Sequence, residues 1–269
     1  VMTSSSSPGV SLMMEGLSYI IGTNLPAVIV NVMRGGPGLG NIAPSQGDYN
    51  QIVRGGAHGE CRMIVLAPAS VQEAVEMTAL SFDLAEKYRM VVCILMDGFL
   101  GQMMEPAELP EFVPLKTEVP DWAVKGEKGR EKRVLTSINI DPPAQERENL
   151  KREMNWQKIR QNEVRCKGYY LDDAEYVVVG FGTAGRIALS AVREAREKGV
   201  KGGLFRPITL APFPEKELDE FNDVLRAFVP GPRGVGRSGN RPGSSHPCGR
   251  PRPAARSSRY HCMCLTLPQ

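Results

Sequence analysis

"AVIVNVMRGGPGLG", residues 27–40, sets a short β-branched run directly before an arginine and a loop of glycines. A run this short and this apolar predicts a strand buried on both faces, as in a parallel sheet. Such a sheet opens its ligand crevice beyond the carboxyl ends of its strands. Arg34 then falls on the rim of that crevice, either as a receptor for an anion or as an exposed charge ahead of a flexible loop.

Outward from this stretch the same alternation repeats. Val1 and Met2 read as the end of a strand, "TSSSSPG" as a loop, and "VSLMMEGLSYIIG" as a helix that Pro8 helps to start. A short helix near "SQGDYNQIVRGG" and a strand "CRMIVLAP" follow. Ser70 and Glu73 form a capping box for a helix reaching about Tyr88, with Val71, Val75, Ala79 and Phe82 expected on one face. "MVVCILMD" is the next strand, ending at Asp97 and Gly98, both read as structural. Strands joined by helices imply an α/β fold with a parallel sheet.

From Glu105 the composition changes to dense charge and proline, with an exposed polar helix expected over "QERENLKREMNWQKIRQNEV". A second α/β unit then comprises "EYVVVGFGTAG", a helix from Ala184 to Lys198, the strand "GGLFRP", the turn "TLAPFPEKE" and a helix to about Phe228. The expected division is 1–104, a connector 105–170, 171–228, and a tail 229–269.

The chain has 269 residues, 42% of them hydrophobic, enough for a sizeable core. No run approaches a membrane span and no basic, apolar leader opens the chain, so a cytoplasmic protein without a membrane partner is expected. Six scattered cysteines fit reduced thiols better than disulfides. The net charge of +3 divides into seven arginines within 229–269 and a net −4 on the rest. That tail of Arg, Gly, Pro and Ser is expected to be disordered. Its vocabulary suits a nucleic-acid arm or out-of-frame translation of a GC-rich gene; the second is favoured, because the fold is expected to break off between a helix and its following strand.

Gly180, Gly182 and Gly185 match a dinucleotide fingerprint, but "GGLFRP" brings Arg206 where a ribose-binding acid belongs. A structural role, letting the helix start close to its strand, is preferred. "RGGPGLG" lacks the Lys-Ser/Thr ending of a P-loop, and His58 has no second ligand at metal spacing.

Taken together, "VMTSSSSPGVSLMMEGLSY", "PAVIVNVMRGGPGLGNIAPSQGDY", "IVLAPASVQEAVEMT", "LMDGFLGQMMEP", "GFGTAGR" and "RPITLAPFP" resemble the α-subunit of the 2-oxoacid:ferredoxin oxidoreductases over about residues 1–228. "GNIAPSQGDY" is most similar to the branched-chain, 2-oxoisovalerate type, with the 2-oxoglutarate type next. The resemblance implies a thiamine-enzyme pyrimidine-binding domain followed by a transketolase C-terminal-like domain. It implies oxidative decarboxylation of a 2-oxoacid to acyl-CoA, with electrons passed to ferredoxin. Thiamine diphosphate would be shared with a β-subunit that holds the diphosphate and Mg²⁺, and [4Fe-4S] clusters would sit on ferredoxin-like γ and δ chains.

On that resemblance Arg34 takes the substrate carboxylate, Thr3 is the nearest further contact, and Ser4, Ser5, Ser6, Gly35 and Gly36 line the cofactor pocket. No catalytic or metal-binding residue is assigned. The family's Tyr-Pro-Ile-Thr-Pro loop and ylide-activating glutamate have no counterpart, Glu15 lies too far along its helix to serve, and Val1 is expected to begin in mid-domain. Two rival readings are a non-catalytic fragment or scaffold, and a nucleotide-binding protein using Gly180, Gly182 and Gly185.

Overall fold

Strands β2 (Ala27–Met33) and β4 (Val91–Asp97) lie side by side and parallel, with Val30 opposite Ile94. All their residues but Val32 and Met96 are buried, which is why the sequence there is apolar without alternation. The computed structural model describes residues 1–54, 56–111, 119–221 and 225–228, the last by backbone alone. Flanking strands β1 (Met2–Ser5) and β3 (Ile64–Leu66) complete a parallel core in the order β1-β2-β4-β3. On one face Ile29, Met33, Cys93 and Leu95 pack against helices α1 (Ser7–Gly22) and α2 (Tyr49–Val53). On the other, Val28, Val30, Val92 and Ile94 pack against α3 (Val71–Tyr88).

Helix α3 begins as expected, with the Glu73 amide donating to Ser70 Oγ at 3.2 Å. Its buried stripe differs from expectation: Met77, Ser81, Leu84, Ala85 and Tyr88 face the sheet, while Ala79 and Phe82 are exposed. Ser81 hid that stripe, since it lies fully buried with its hydroxyl satisfied by Met77 O at 2.6 Å.

A short helix α4 (Gly98–Gln102) follows β4, capped by Asp97, whose Oδ1 accepts from the Phe99 and Leu100 amides. The polar helix α5 (Pro142–Asn162) is docked rather than free. Ile159 is wholly buried, and Trp156 packs on both cores of the first sheet. Asn155 Nδ2 donates to Tyr88 O, and Arg152 Nη2 to Gly22 O. Just beyond the helix, Glu163 is buried and accepts from Lys87, Tyr88 and Arg165, tying α5 to α3.

A second sheet, in the order β5-β7-β6-β9, holds β5 (Cys166–Tyr169), β6 (Tyr176–Val179), β7 (Gly202–Pro207) and β9 (Leu225–Phe228). Helix α6 (Gly182–Glu197) covers one face through Ala188 and Val192 over Leu204. Leu218 of α7 (Glu215–Asp219) packs with Val177, Val179 and Phe205.

Three expectations fail locally. Thr3, Ser4 and Ser5 belong to β1, paired with β2, and not to a loop. "TLA" within the expected turn forms β8 (Thr209–Ala211), antiparallel to β3, because that edge of the first sheet has free backbone groups to satisfy. The helix expected to reach Phe228 ends at Asp219, and Leu225–Phe228 runs parallel to β6; the strand thought missing after the helix is present. A run as short as LRAF fits either state, and pairing along β6 decides it.

Cys61, Cys93 and Cys166 are free thiols; Cys248, Cys262 and Cys264, like the tail expected to be disordered, lie outside the described residues. No helix among the described residues is long and apolar enough to cross a membrane.

Candidate functional site at the mouth of the sheet

Arg34 directly follows β2 at the carboxyl end of the sheet, and the chain beyond it folds back so that Arg34 and Pro44 form an antiparallel bridge. The Gly35 amide donates to Ala43 O and the Asn41 amide to Gly35 O, both at 2.9 Å. Gly40, at φ +59°, makes that return possible: a Cβ there would fall on the Gly35 carbonyl. Arg34 Nη1 donates to Leu39 O and Asn41 O, and Nε donates to Ser6 Oγ at 3.0 Å.

Ser6 occupies the N-cap position of α1, yet its hydroxyl caps no amide and is given over to the guanidinium. Ser7 holds the other end of Arg34, its Oγ accepting from the Arg34 amide at 3.1 Å. The two serines fix the arginine's backbone and its first guanidinium nitrogen. Among the described residues no carboxylate pairs with Arg34, and Nη2 has no protein partner. A half-buried guanidinium whose Nη2 keeps its donors suits a carboxylate, to which it can give a charge-assisted bond.

Of the other expected site residues, Gly35 is buried beside Arg34, while Gly36 is open, with nothing near its missing Cβ. Ser5 lies just below Ser6 on β1. Thr3 is exposed and pairs with Ile29, three residues back from Ser6, and makes no hydrogen bond to Arg34. Beside the returning loop, a cleft of about 360 Å³ is lined by Ile42, Pro44, Phe99 and Met103 and not by Arg34.

Three buried oxygens at this end of the sheet, Asn31 Oδ1, Gln46 Oε1 and Asp97 Oδ2, have no donor among the described residues. The acids nearby are engaged. Asp97 caps α4, Asp48 accepts from Asn31 Nδ2 at 3.1 Å, and Glu15 accepts from the Tyr19 hydroxyl. Among the described residues no group of three His, Cys, Asp or Glu is placed to hold a metal ion.

The second sheet's unit closes the far side. Thr183 Oγ1 donates to Asp97 Oδ1 at 3.0 Å, and Gln46 Nε2 to Phe181 O at 3.2 Å. Nothing in the sequence marked Gln46 or Thr183, whose partners lie more than eighty residues away. The glycines around them differ in what they allow: a Cβ on Gly185 would stand 2.7 Å from Gly180 O, while Gly182, at φ +53°, has room for one in ordinary contact with Gln46 and Pro68 but holds a backbone conformation that favours glycine. Where a ribose acid would stand, Arg206 is buried and donates both Nη atoms to Glu73 at 2.8 and 2.6 Å. The loop is filled by protein, which accounts for its glycines without a nucleotide.

The family of pyruvate flavodoxin/ferredoxin oxidoreductases, in its thiamine diphosphate-binding part, matches residues 1–167. The chain belongs to that family. Residues 174–239 match pyruvate:ferredoxin oxidoreductase core domain II.

Among relatives of this chain, a ketoisovalerate oxidoreductase subunit VorB from Methanothermobacter thermautotrophicus is 51% identical over 229 residues. That match covers 85% of this chain and 65% of the relative, so the chain spans under two thirds of that protein's length. A 2-oxoglutarate synthase subunit KorA from Methanocaldococcus jannaschii is 37% identical, with 85% and 68% covered. The solved 2-oxoglutarate:ferredoxin oxidoreductase from Magnetococcus marinus superposes with a TM-score of 0.74 at 24% identity, over 84% of this chain and 45% of that one, and so shares the fold.

Proposed function

We propose that the chain is the α-subunit of a 2-oxoacid:ferredoxin oxidoreductase, taking part in thiamine diphosphate-dependent oxidative decarboxylation of a 2-oxoacid to acyl-CoA. Arg34, a cation with no carboxylate partner among the described residues, at the mouth of the sheet, carries this reading. Its role is to hold the substrate carboxylate. Ser6 orients it, and Ser4, Ser5, Gly35 and Gly36 edge the cofactor, with Thr3 the remaining candidate contact. The higher identity to the ketoisovalerate subunit, and the apolar cleft of Ile42, Pro44, Phe99 and Met103, support a branched aliphatic 2-oxoacid.

The residues at the mouth fit one wall of a thiamine diphosphate pocket. Hydroxyls, an open glycine and buried acceptor oxygens suit an aminopyrimidine, which donates hydrogen bonds. No acid is assigned to its ring: Asp48 and Glu15 accept from Asn31 and Tyr19, and Asp97 caps α4 through Oδ1, with Oδ2 left as one of the buried acceptors. When bound, thiamine diphosphate stabilises the carbanion left by decarboxylation. This chain's part is to grip, orient and enclose the substrate, within residues 1–104 joined through 105–170 to 171–228. A β-subunit would bring the diphosphate and Mg²⁺ sites, and γ and δ chains the [4Fe-4S] clusters that reduce ferredoxin, all in the cytoplasm.

The test is steady-state kinetics of the assembled enzyme carrying Arg34→Ala. Losing a charge-assisted pair of about 1.5–3 kcal/mol should raise the 2-oxoacid KM and lower kcat/KM by about one to two orders of magnitude. Arg34→Lys should restore only part, because an ammonium lacks the planar fork. Unchanged kinetics in Arg34→Ala overturn the assignment.

A further inference from the structure

The first turn of α6 touches both walls of the mouth, and it comes from the unit that carries neither Arg34 nor the strands beneath it. One wall is Asp97 with α4: the Thr183 hydroxyl donates to Asp97 Oδ1, the same oxygen that accepts from the Phe99 and Leu100 amides. The other wall is the loop returning to β2: Gln46 Nε2 donates to Phe181 O. Gln46 lies two residues beyond Pro44, the bridge partner of Arg34, and a Cβ added to Gly98 at the head of α4 would stand 3.4 Å from Ile42 O and 3.8 Å from Pro44 Cα, so α4 lies against the returning loop. Both side chains are buried, Thr183 at 6% and Gln46 at 9% exposure.

These contacts have a limited local purpose. Phe181 O already accepts from the Gly185 amide within α6, and Asp97 Oδ1 already caps α4. Neither bond is needed to complete its helix. Each instead joins an element of one unit to a wall of the other's mouth, and from there a chain of bonds runs to Arg34: Ala43 O to the Gly35 amide, and Asn41 O to Nη1.

We propose that Thr183 and Gln46 are positioning residues, through which the first turn of α6 fixes the 35–46 loop and thereby the place of the Arg34 guanidinium. The claim rests on the reading of Arg34 as carboxylate receptor for its catalytic consequence, and on geometry alone for the coupling. Substrate grip in the first unit is then adjustable from the second. A displacement of α6 would loosen the mouth without touching a residue that contacts substrate.

Thr183→Val removes one link and little else, and Gln46→Leu removes the other together with the unpartnered Oε1. Thr183→Val keeps the shape and loses the donor; Gln46→Leu does the same and leaves Phe181 O its helical bond. Amide hydrogen exchange on the full chain should show the Gly35 and Asn41 amides exchanging about five- to tenfold faster in either variant, as expected for loss of one supporting bond. Thr183→Ser, which retains the hydroxyl, should stay within about twofold of the parent. In the assembled enzyme both variants should raise the 2-oxoacid KM more than they change kcat, with serine rescuing the first.

Unchanged exchange in the 35–46 loop for both variants overturns the coupling, even where Arg34→Ala behaves as a carboxylate receptor should. Should Arg34→Ala leave KM untouched, the functional reading falls while the exchange data still judge the coupling. If Thr183→Val fails to fold, Gln46→Leu carries the same expectations.

Discussion

Replacing Glu73 by glutamine should destabilise the fold in a pH-dependent way whose size follows from the geometry around that carboxylate. Glu73 receives both Nη atoms of Arg206, Lys167 Nζ at 3.0 Å and the Ala69 amide at 2.9 Å, with its side chain 16% exposed. Burial by itself would raise its pKa. The Arg206 bonds, then the Ala69 amide and Lys167, outweigh that and bring it down to about 2 from the usual 4.5. A shift of that size corresponds to about 3 kcal/mol of folding stability. Because the folded value is the lower one, this stability is complete above the unfolded value near pH 4.5 and is lost as pH falls towards 2. By pH 3 roughly 2 kcal/mol of it should be gone.

Glu73→Gln also leaves Arg206, 4% exposed, without its counter-charge, and breaking one side of a buried pair costs about 3–5 kcal/mol. Urea unfolding of parent and variant at pH 7, 5, 4 and 3 reads the difference directly. We expect a gap of about 3 kcal/mol or more at pH 7 that closes by roughly 2 kcal/mol at pH 3. A gap that stays constant with pH, or one below about 1 kcal/mol at pH 7, would show that the pair between the two units does not hold them in the way its geometry implies.

Gly185→Ala should cost about 1–3 kcal/mol, measured by urea denaturation, because the new Cβ would stand 2.7 Å from Gly180 O; equal stability would mean that the strand and helix are not in close contact. Ile159→Ala should lose about 2–5 kcal/mol by the same assay, since the side chain is fully buried between α5 and the first sheet; a loss under about 0.5 kcal/mol would make α5 a loosely attached connector. Cys93, whose thiol is pushed up to about 12 by burial, should resist a thiol-specific reagent at pH 8 until the chain unfolds, while Cys61 and Cys166, partly exposed, react; prompt labelling of Cys93 identified by peptide mapping would contradict the buried register of β4.

What a sequence discloses about this molecule depends on how far apart in the chain the partners lie. The runs Ala27–Met33 and Val91–Asp97 announce buried parallel strands because the signal, apolar residues on both faces, is contained within seven positions. Ser70 and Glu73 are legible as a helix start for the same reason. Arg34 is legible as a rim residue, since its place follows from the end of its own strand. The side chains that organise the mouth around it are not. Thr183 finds Asp97 across 86 residues, Gln46 finds the Phe181 carbonyl across 135, and Arg206 finds Glu73 across 133. At each of these positions the residue type has a sufficient local reading: a helix-start threonine, a loop glutamine, an arginine ending a strand.

Glu73 shows why a correct local reading conceals a longer one. The same carboxylate that satisfies the backbone ahead of α3, through the Ala69 amide, also takes the guanidinium of β7. A carboxylate has about four acceptor positions, so a capping role leaves capacity that only the fold can assign. The glycines of "GFGTAG" pose the converse case. Their spacing establishes that something approaches the backbone closely, and a nucleotide and a tightly packed strand make equal demands on a residue without a Cβ. The difference lies in the side chain that faces the loop, and here Arg206 is already held by Glu73, with its Cγ 3.1 Å from where a Gly185 Cβ would be. A glycine motif therefore reports the distance of approach, while the charge opposite it reports what approaches.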